Sequence, residues 1–139
     1  MTWNNKIAIR CFFLMIFLIS TSKILDAQEI YSEIETAFIK GETELLRDHF
    51  DENIKMIVLG ESTQANKSEA IKILNQFFQK YPVIKLNKKF EGEKSNSNFI
   101  IRTMISKDSS FRITIFFKKI ENKLRINLLR IEKENESVF

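Results

Sequence analysis

The segment NKSEAIKILNQFFQKYP, residues 66–82, predicts the main helix of the core. Asn66 precedes Glu69 by three residues, which is the spacing of a capping box with asparagine as the N-cap residue. Pro82 ends the segment because proline lacks the backbone N–H that continues a helix. Between these limits the apolar residues recur with the helical period over a broad face: Ala70, Ile71, Ile73, Leu74, Phe77, Phe78 and Tyr81. The helical period does not return after Pro82.

The rest of the chain after this helix has the pattern of β-strands. Four segments alternate apolar and polar residues or are rich in β-branched residues: 83–91, 99–106, 111–119 and 123–132. Short polar links separate these segments, whereas parallel strands need a long crossover connection. The pattern therefore predicts antiparallel hairpins.

Two shorter helices and one strand are predicted before this helix. The first helix ends at Gly41, a residue suited to a helix end, and its apolar face consists of Ile30, Ile34, Ala37 and Phe38. In the second helix, His49 follows Leu45 by four residues, so the two side chains are expected on the same face of the helix. Residues 54–59 form the first strand, which Gly60 ends. The predicted order is helix, helix, strand, helix, then four strands.

This order resembles the nuclear-transport-factor-2-like fold, also called cystatin-like, in which a strongly curved antiparallel sheet wraps around helices as a cone. Three segments are similar to a family of secreted bacterial proteins described as domain of unknown function 4783: GETELLRDHFDENI at 41–54, FRITIFFKK at 111–119 and LLRIEKE at 128–134. The resemblance spans residues 28–133 and implies an α+β fold and export. It supplies no catalytic residues.

The first 27 residues have the tripartite plan of a secretory signal peptide. Lys6 and Arg10 form a basic start, an apolar stretch follows at 11–19, and a polar segment leads to Ala27. The apolar stretch is shorter than the roughly 20 residues that a membrane-spanning helix needs. Cleavage after Ala27 would leave residues 28–139 as a single domain with no stable membrane span, in the periplasm or outside the cell. An uncleaved N-terminal anchor is the alternative, because charged residues lie near the cut.

The composition of the predicted mature domain excludes several kinds of site. Without residues 1–27, the 22 basic and 18 acidic residues fall to 19 and 17, a net charge near +2 that does not indicate nucleic-acid binding. The only cysteine, Cys11, lies in the signal segment, and His49 is the only histidine. We therefore expect no disulfide, no metal site and no cofactor. A phosphate-binding loop is also excluded, because the glycines are interpreted as isolated turn residues: Gly41, Gly60 and Gly92.

The resemblance implies an apolar pocket between the concave face of the sheet and the helices. Related folds catalyse dehydrations and isomerisations there, with an aspartate or a histidine as general base. The polar candidates lie on the early helices, beside the histidine and on strands: Tyr31, Asp48, His49, Asp51, Arg102, Arg112 and Arg130. Of these, Tyr31, His49 and Arg130 are the predicted lining of a pocket for a small apolar or anionic ligand.

His49 is either a general base, oriented by Asp48 or Asp51, or a helix-end residue that packs beside Leu45. We favour the second interpretation, because adjacency in sequence places Asp48 on a different helical face. His49 and Asp51 remain the candidates for a catalytic role if the protein has one.

Alternation assigns two faces to the strand that contains Arg112. Arg112 lies outside, and the residues that should face the helices are Phe111, Ile113, Ile115 and Phe117. Neither face of the last strand is uniformly apolar or uniformly polar. If its apolar residues at 124, 126 and 128 point inward, then Arg130 does too, either in a buried structural ion pair or in contact with an anionic ligand. We favour the ion pair.

Apolar residues on the outer face of the sheet predict a homodimer. They lie among polar neighbours and would be covered by a partner: Phe116, Leu129 and Ile131. An isologous pair would bury them against their symmetry mates.

Two classes of function are compatible with these residues. The first is an exported, noncatalytic binding or interaction domain. The second is a small lyase or isomerase that uses the pocket in the cone. We favour the binding domain, because a chain so poor in histidine and tyrosine offers no convergent set of acid and base groups.

Overall fold

The computed structural model describes residues 3–19 and 22–135. These residues divide into two compact units, with the boundary after Ser32. The elements in chain order are α1 Trp3–Ile19, α2 Ser22–Lys40, a 3-10 helix Thr43–His49, β1 Phe50–Val58, β2 Glu61–Ala65, α3 Lys67–Lys80, β3 Lys85–Lys94, β4 Ser97–Ile105, β5 Ser110–Ile120 and β6 Lys123–Lys133.

The first unit contains α1 and the beginning of α2. The predicted apolar stretch of the signal peptide is part of α1, and the predicted cleavage point after Ala27 lies within α2. Residues 20 and 21, where the predicted polar segment starts, lie outside the described residues. None of the described helices is long and apolar enough to cross a membrane.

The six strands of the second unit form one curved sheet with the order β2-β1-β6-β5-β4-β3. Strands β3 to β6 pair as successive antiparallel hairpins, as the sequence predicts. Strand β1 pairs in parallel with β6, which places the first strand of the unit beside the last. The predicted α+β class is confirmed.

The sequence pattern missed β2, because its sequence ESTQA has no apolar alternation. Its first four residues are exposed, so this edge strand forms through backbone pairing with β1 and not through burial. Leu59 and Gly60 both have positive φ and form the turn that joins the two strands. Strand β1 also begins earlier than predicted, at Phe50, directly after the 3-10 helix.

Helix α2 ends through a Schellman motif at Gly41. The N–H of Glu42 donates to the carbonyl of Ala37 at 2.9 Å, and the N–H of Gly41 donates to the carbonyl of Phe38 at 3.2 Å. Gly41 has a φ of 68°, a conformation that costs an L-residue free energy and glycine much less. The predicted helix end is confirmed, and the motif turns the chain into the 3-10 helix.

Helix α3 has the predicted capping box. The side chain of Asn66 accepts a hydrogen bond from the N–H of Glu69, and the carboxylate of Glu69 accepts one from the N–H of Asn66, both at 2.9 Å. The apolar face of α3 packs on the sheet, where the rings of Phe77 and Phe111 meet edge to face with centres 5.1 Å apart. The residues that α3 buries are Ala70, Ile71, Leu74, Phe77 and Phe78.

A β-bulge interrupts the pairing of β5 and β6. Phe116 pairs with Leu128 and Phe117 pairs with Ile126, so Asn127 is one extra residue in β6. On the β5 side the predicted inner face is confirmed, with at most 1% of each residue exposed: Phe111, Ile113, Ile115 and Phe117.

This bulge exchanges the two faces of β6 beyond Asn127. Leu129 and Ile131 are fully buried, so the expectation that they lie on the outer face is wrong. Leu128 and Arg130 take the outer positions instead. The condition under which Arg130 would point inward is therefore not met.

Candidate functional site

Two residues of the predicted pocket, His49 and Arg130, lie on different sides of the sheet. His49 ends the 3-10 helix and contacts α2, which packs on the inner side. Arg130 lies on the outer side, with its Nη1 3.9 Å from Oε1 of Glu132. These two side chains therefore do not line one pocket. Tyr31, the third residue, is a buried residue of α2 in the first unit.

The partner of His49 is a glutamate and not one of the flanking aspartates. Nε2 of His49 lies 2.7 Å from Oε2 of Glu33, a residue of α2. Asp51 accepts a hydrogen bond from the N–H of Glu52 at 2.8 Å, and the backbone carbonyl of Asp48 accepts one from Arg125. Neither of these aspartate contacts involves the imidazole. His49 is the last residue of the 3-10 helix, as expected of a helix-end residue, whereas Leu45, the residue it was expected to pack beside, is 54% exposed.

Arg102 lies at the centre of a buried polar cluster on the inner face of the sheet. The side chain of Arg102 is only 2% exposed and contacts Oε1 of Glu35 and Oε1 of Glu91, each at 2.5 Å. Its Nη1 also donates to the carbonyls of Phe90 and Ile101, at 3.3 and 3.1 Å. The second oxygen of Glu91 lies 3.0 Å from Nζ of Lys88. Arg102 therefore connects α2, β3 and β4.

Arg102 thus forms the buried structural ion pair that was expected of Arg130. The alternation of β4 predicts that Arg102 points inward, because it lies between two inward residues, Ile100 and Met104. Its partners could not be read from the sequence, since Glu35 is 67 residues away on a helix. Among residues 3–19 and 22–135, no cluster of three His, Cys, Asp or Glu side chains is arranged to hold a metal ion.

Replacing Arg102 with methionine should destabilise the protein strongly. Loss of the guanidinium removes the cation that Glu35 and Glu91 share, and Glu91 keeps only its contact with the exposed Lys88 among the ion pairs described. Breaking one side of a buried ion pair typically costs about 3–5 kcal/mol. Arg112→Met is the matched control, because the Arg112 side chain is 46% exposed and its ion pair should contribute less than about 1 kcal/mol. Urea denaturation measures both. Equal losses for the two variants would contradict the structural role of Arg102.

The outer face of the sheet carries a row of three aromatic rings, which we name the aromatic row. Phe90, Phe99 and Phe116 come from three adjacent strands and stack with ring centres 5.6 and 5.7 Å apart. Phe90 is 52% exposed and Phe116 is 37% exposed, so the row faces solvent. Leu128 and Ile101 lie beside it on the neighbouring positions of the same face.

Gly92 makes space for the aromatic row. It pairs with Phe99 across β3 and β4, and a Cβ at Gly92 would lie 2.7 Å from Cζ of Phe99 and 2.9 Å from Cε1 of Phe90. The interpretation of Gly92 as a turn residue is therefore wrong. It is a strand residue whose missing side chain allows two rings to lie over the backbone.

Beside the aromatic row, the outer face has a charged depression of about 400 Å³, which we name the outer basin. Its lining consists of Lys89, Arg112, Glu132, Lys133, Glu134 and Asn135. Glu134 is central: its Oε1 lies 3.0 Å from Nζ of Lys89 and 3.3 Å from Nε of Arg112. Its Oε2 accepts a hydrogen bond from Oγ of Ser110 at 3.5 Å. Two cations from separate strands therefore hold one carboxylate.

The electrostatics of the outer basin favour the charged form of Glu134. Burial opposes ionisation, but the hydrogen bond and the charge of Lys89, together with those of Arg112, outweigh burial and hold the pKa of Glu134 below its ordinary range. The carboxylate is therefore ionised at neutral pH and is bound by its two cations.

The stability that Glu134 contributes should be lost in acid. Its folded-state pKa is lowered, so the unfolded chain takes up the proton first and stability falls as pH falls through the folded-state pKa. The difference in unfolding free energy between the wild type and Glu134→Gln should be largest above the unfolded-state pKa of about 4.3 and should shrink as pH falls through the lower folded-state pKa. Urea denaturation at a series of pH values measures it. A difference that stays constant or grows in acid would contradict the ion pairing.

The fold is that of nuclear-transport-factor-2-like proteins. A nuclear-transport-factor-2-like protein from Shewanella baltica matches it with a TM-score of 0.64 and 11% identity, over 81% of this chain and 94% of that one. The chain belongs to the family described as Domain of unknown function (DUF4783), whose model matches residues 31–132. The resemblance stated from the sequence is confirmed in both fold and family.

Solved structures of this family match more closely in sequence. A family member from Bacteroides uniformis is 28% identical with a TM-score of 0.71, over 76% of this chain and 97% of that one. A member from Bacteroides ovatus is 31% identical with a TM-score of 0.70, over 75% of this chain and 94% of that one. The comparison with curated proteins gives no match.

Proposed function

We propose that this protein is an exported, noncatalytic interaction domain that associates with a second copy of itself through the outer face of its sheet. The observation that carries the proposal is the aromatic row, Phe90, Phe99 and Phe116, ordered by stacking and open to solvent. Aromatic residues are enriched at the centres of protein interfaces, because they bury a large area and lose little conformational entropy.

Charge on the outer face supports a second copy as the partner. An isologous interface places a patch against itself, so the patch needs charges of both signs to be complementary. The outer face carries both, with Arg112 and Arg130 beside Glu132 and Glu134. Its exposed lysine and arginine stems would pack at the rim around the aromatic row.

The polar groups of the inner side support binding in preference to catalysis. A general base needs a side chain that can reach a substrate proton. Arg102 is instead enclosed by two carboxylates, and His49 is paired with Glu33. The alternative, a small lyase or isomerase, would need His49 to act as a base through its other ring nitrogen, with Glu33 holding the ring in place.

Replacing Phe116 with glutamate should dissociate the dimer. The change places a charge at the edge of the aromatic row, where burial against a partner would be costly, and it should weaken association by at least about 30-fold. Ile84→Glu is the matched control, because Ile84 is 66% exposed and precedes β3, outside the row. Light scattering at micromolar concentration measures the mass of each variant. A wild-type protein that is monomeric, or a dimer that Phe116→Glu leaves intact, would contradict the proposal.

Export predicts a shortened chain. If residues 1–27 are a cleaved signal peptide, mass spectrometry of the exported protein should find an N-terminus at or within a few residues of Gln28. A membrane-bound product that retains its N-terminus would instead support the uncleaved anchor.

A further inference from the structure

We propose that the outer basin is a binding site for a ligand carboxylate, and that Glu134 occupies this site in the free protein. The site is distinct from the aromatic row, but it shares Arg112 and Glu134 with the charged surface that the proposed dimer would bring together, so binding and self-association are measured separately. It rests on three features: the convergence of cations, the position of Glu134 in the chain, and the size of the depression.

Cations from three strands line the outer basin. Lys89 comes from a β-bulge in β3, since Lys88 pairs with Arg102 and Phe90 pairs with Ile101, which leaves Lys89 as the extra residue. Arg112 belongs to β5. Lys133, the last residue of β6, also lines the basin but pairs in register with the inward residue Phe111, so the cations that converge on Glu134 are Lys89 and Arg112. Bulges commonly redirect a side chain toward a site. The sheet therefore supplies a set of donors that suits a carboxylate.

The Glu134 carboxylate has the contacts that a bound ligand would have. Nζ of Lys89, Nε of Arg112 and Oγ of Ser110 surround it at 3.0, 3.3 and 3.5 Å. Both cations stay accessible from outside, with 49% of the Lys89 side chain and 46% of the Arg112 side chain exposed. A ligand carboxylate can therefore approach the same donors.

Glu134 can leave the site without disturbing the sheet. Strand β6 ends at Lys133, and Glu134 is attached at its backbone by a hydrogen bond from its N–H to the carbonyl of Ser110 at 2.8 Å. Ion pairs of such exposed cations are individually weak. A ligand carboxylate that replaces Glu134 would restore the same contacts, so the exchange has a small net cost.

The outer basin is larger than one carboxylate needs. Its volume of about 400 Å³ lies within the range of pockets that hold small organic molecules. The carboxylate of a small organic acid and that of an acidic side chain in a peptide have the same chemistry, so the test includes both.

The test is the affinity of the full chain for succinate, measured by isothermal titration calorimetry at low salt. Glu134→Gln removes the resident charge and should bind succinate at least about tenfold more tightly than the wild type. Glu61→Gln is the matched control: it changes the net charge equally, but Glu61 is an exposed residue of β2, at the far edge of the sheet from β3 and outside the basin. It should change the affinity by less than about threefold.

A second substitution links binding to the cations. Adding Arg112→Gln to Glu134→Gln should return the affinity to the wild-type level or below it. If Glu134→Gln does not fold, as judged by circular dichroism, Glu134→Ala removes the same carboxylate. The proposal is overturned if neither Glu134 variant binds succinate more tightly than the wild type, or if Glu61→Gln gives the same increase.

The source of the carboxylate is distinguished with a second probe. A blocked tripeptide whose only charge is one glutamate side chain should also bind Glu134→Gln if the site takes a peptide, whereas binding of succinate alone assigns the site to small acids. Light scattering on the same samples separates binding from any change in self-association. A loss of dimerisation with binding intact would affect only the proposed function.

Discussion

The extra residue in β6 decides which side chains form the core and which form the outer face. Because side chains alternate along a strand, one inserted residue exchanges the faces of everything that follows. The bulge at Asn127 places Leu129 and Ile131 against the helices and sends Leu128 and Arg130 outward. Without it, two apolar side chains would be exposed and a guanidinium would enter the core without a carboxylate arranged to receive it. The apolar inner face and the charged outer face both depend on this residue.

A second bulge has a related effect in β3. It allows Lys88 to lie on the inner side, 3.0 Å from Glu91, while Phe90 turns outward to begin the aromatic row. The bulged residue, Lys89, is the one that reaches Glu134 in the outer basin. The bulges in β3 and β6 thus contribute to the aromatic row and the outer basin, the two features of the outer face that we associate with binding. Regular pairing would have placed these side chains on alternate faces of the sheet.

Features that depend on residues close together in the sequence could be predicted, and features that depend on distant residues could not. The capping box of Asn66 and Glu69 is local, so the sequence alone places the start of α3. The inner face of β5 follows from a strict alternation. A bulge such as the one at Asn127 has no fixed sequence signature, and it depends on the partner strand. The partners of Arg102 lie on other elements, so its pairing with Glu35 emerges only when α2 packs on the sheet. The expected inward position of Arg130 is wrong for a related reason, since it relied on unbroken alternation along β6.

The polar groups of the two sides of the sheet differ in how readily they can exchange partners. On the inner side, the Arg102 side chain is 2% exposed and lies between two carboxylates, so an incoming ligand would have to desolvate charges and break a buried network. On the outer side, Lys89 and Arg112 are about half exposed and hold a carboxylate at the end of a strand. The inner cluster therefore fixes the positions of α2, β3 and β4, and the outer cluster can change its occupant while those elements stay in place. Reversible binding is easier at the second kind of contact, and for this reason we propose a binding role for the outer face of the sheet.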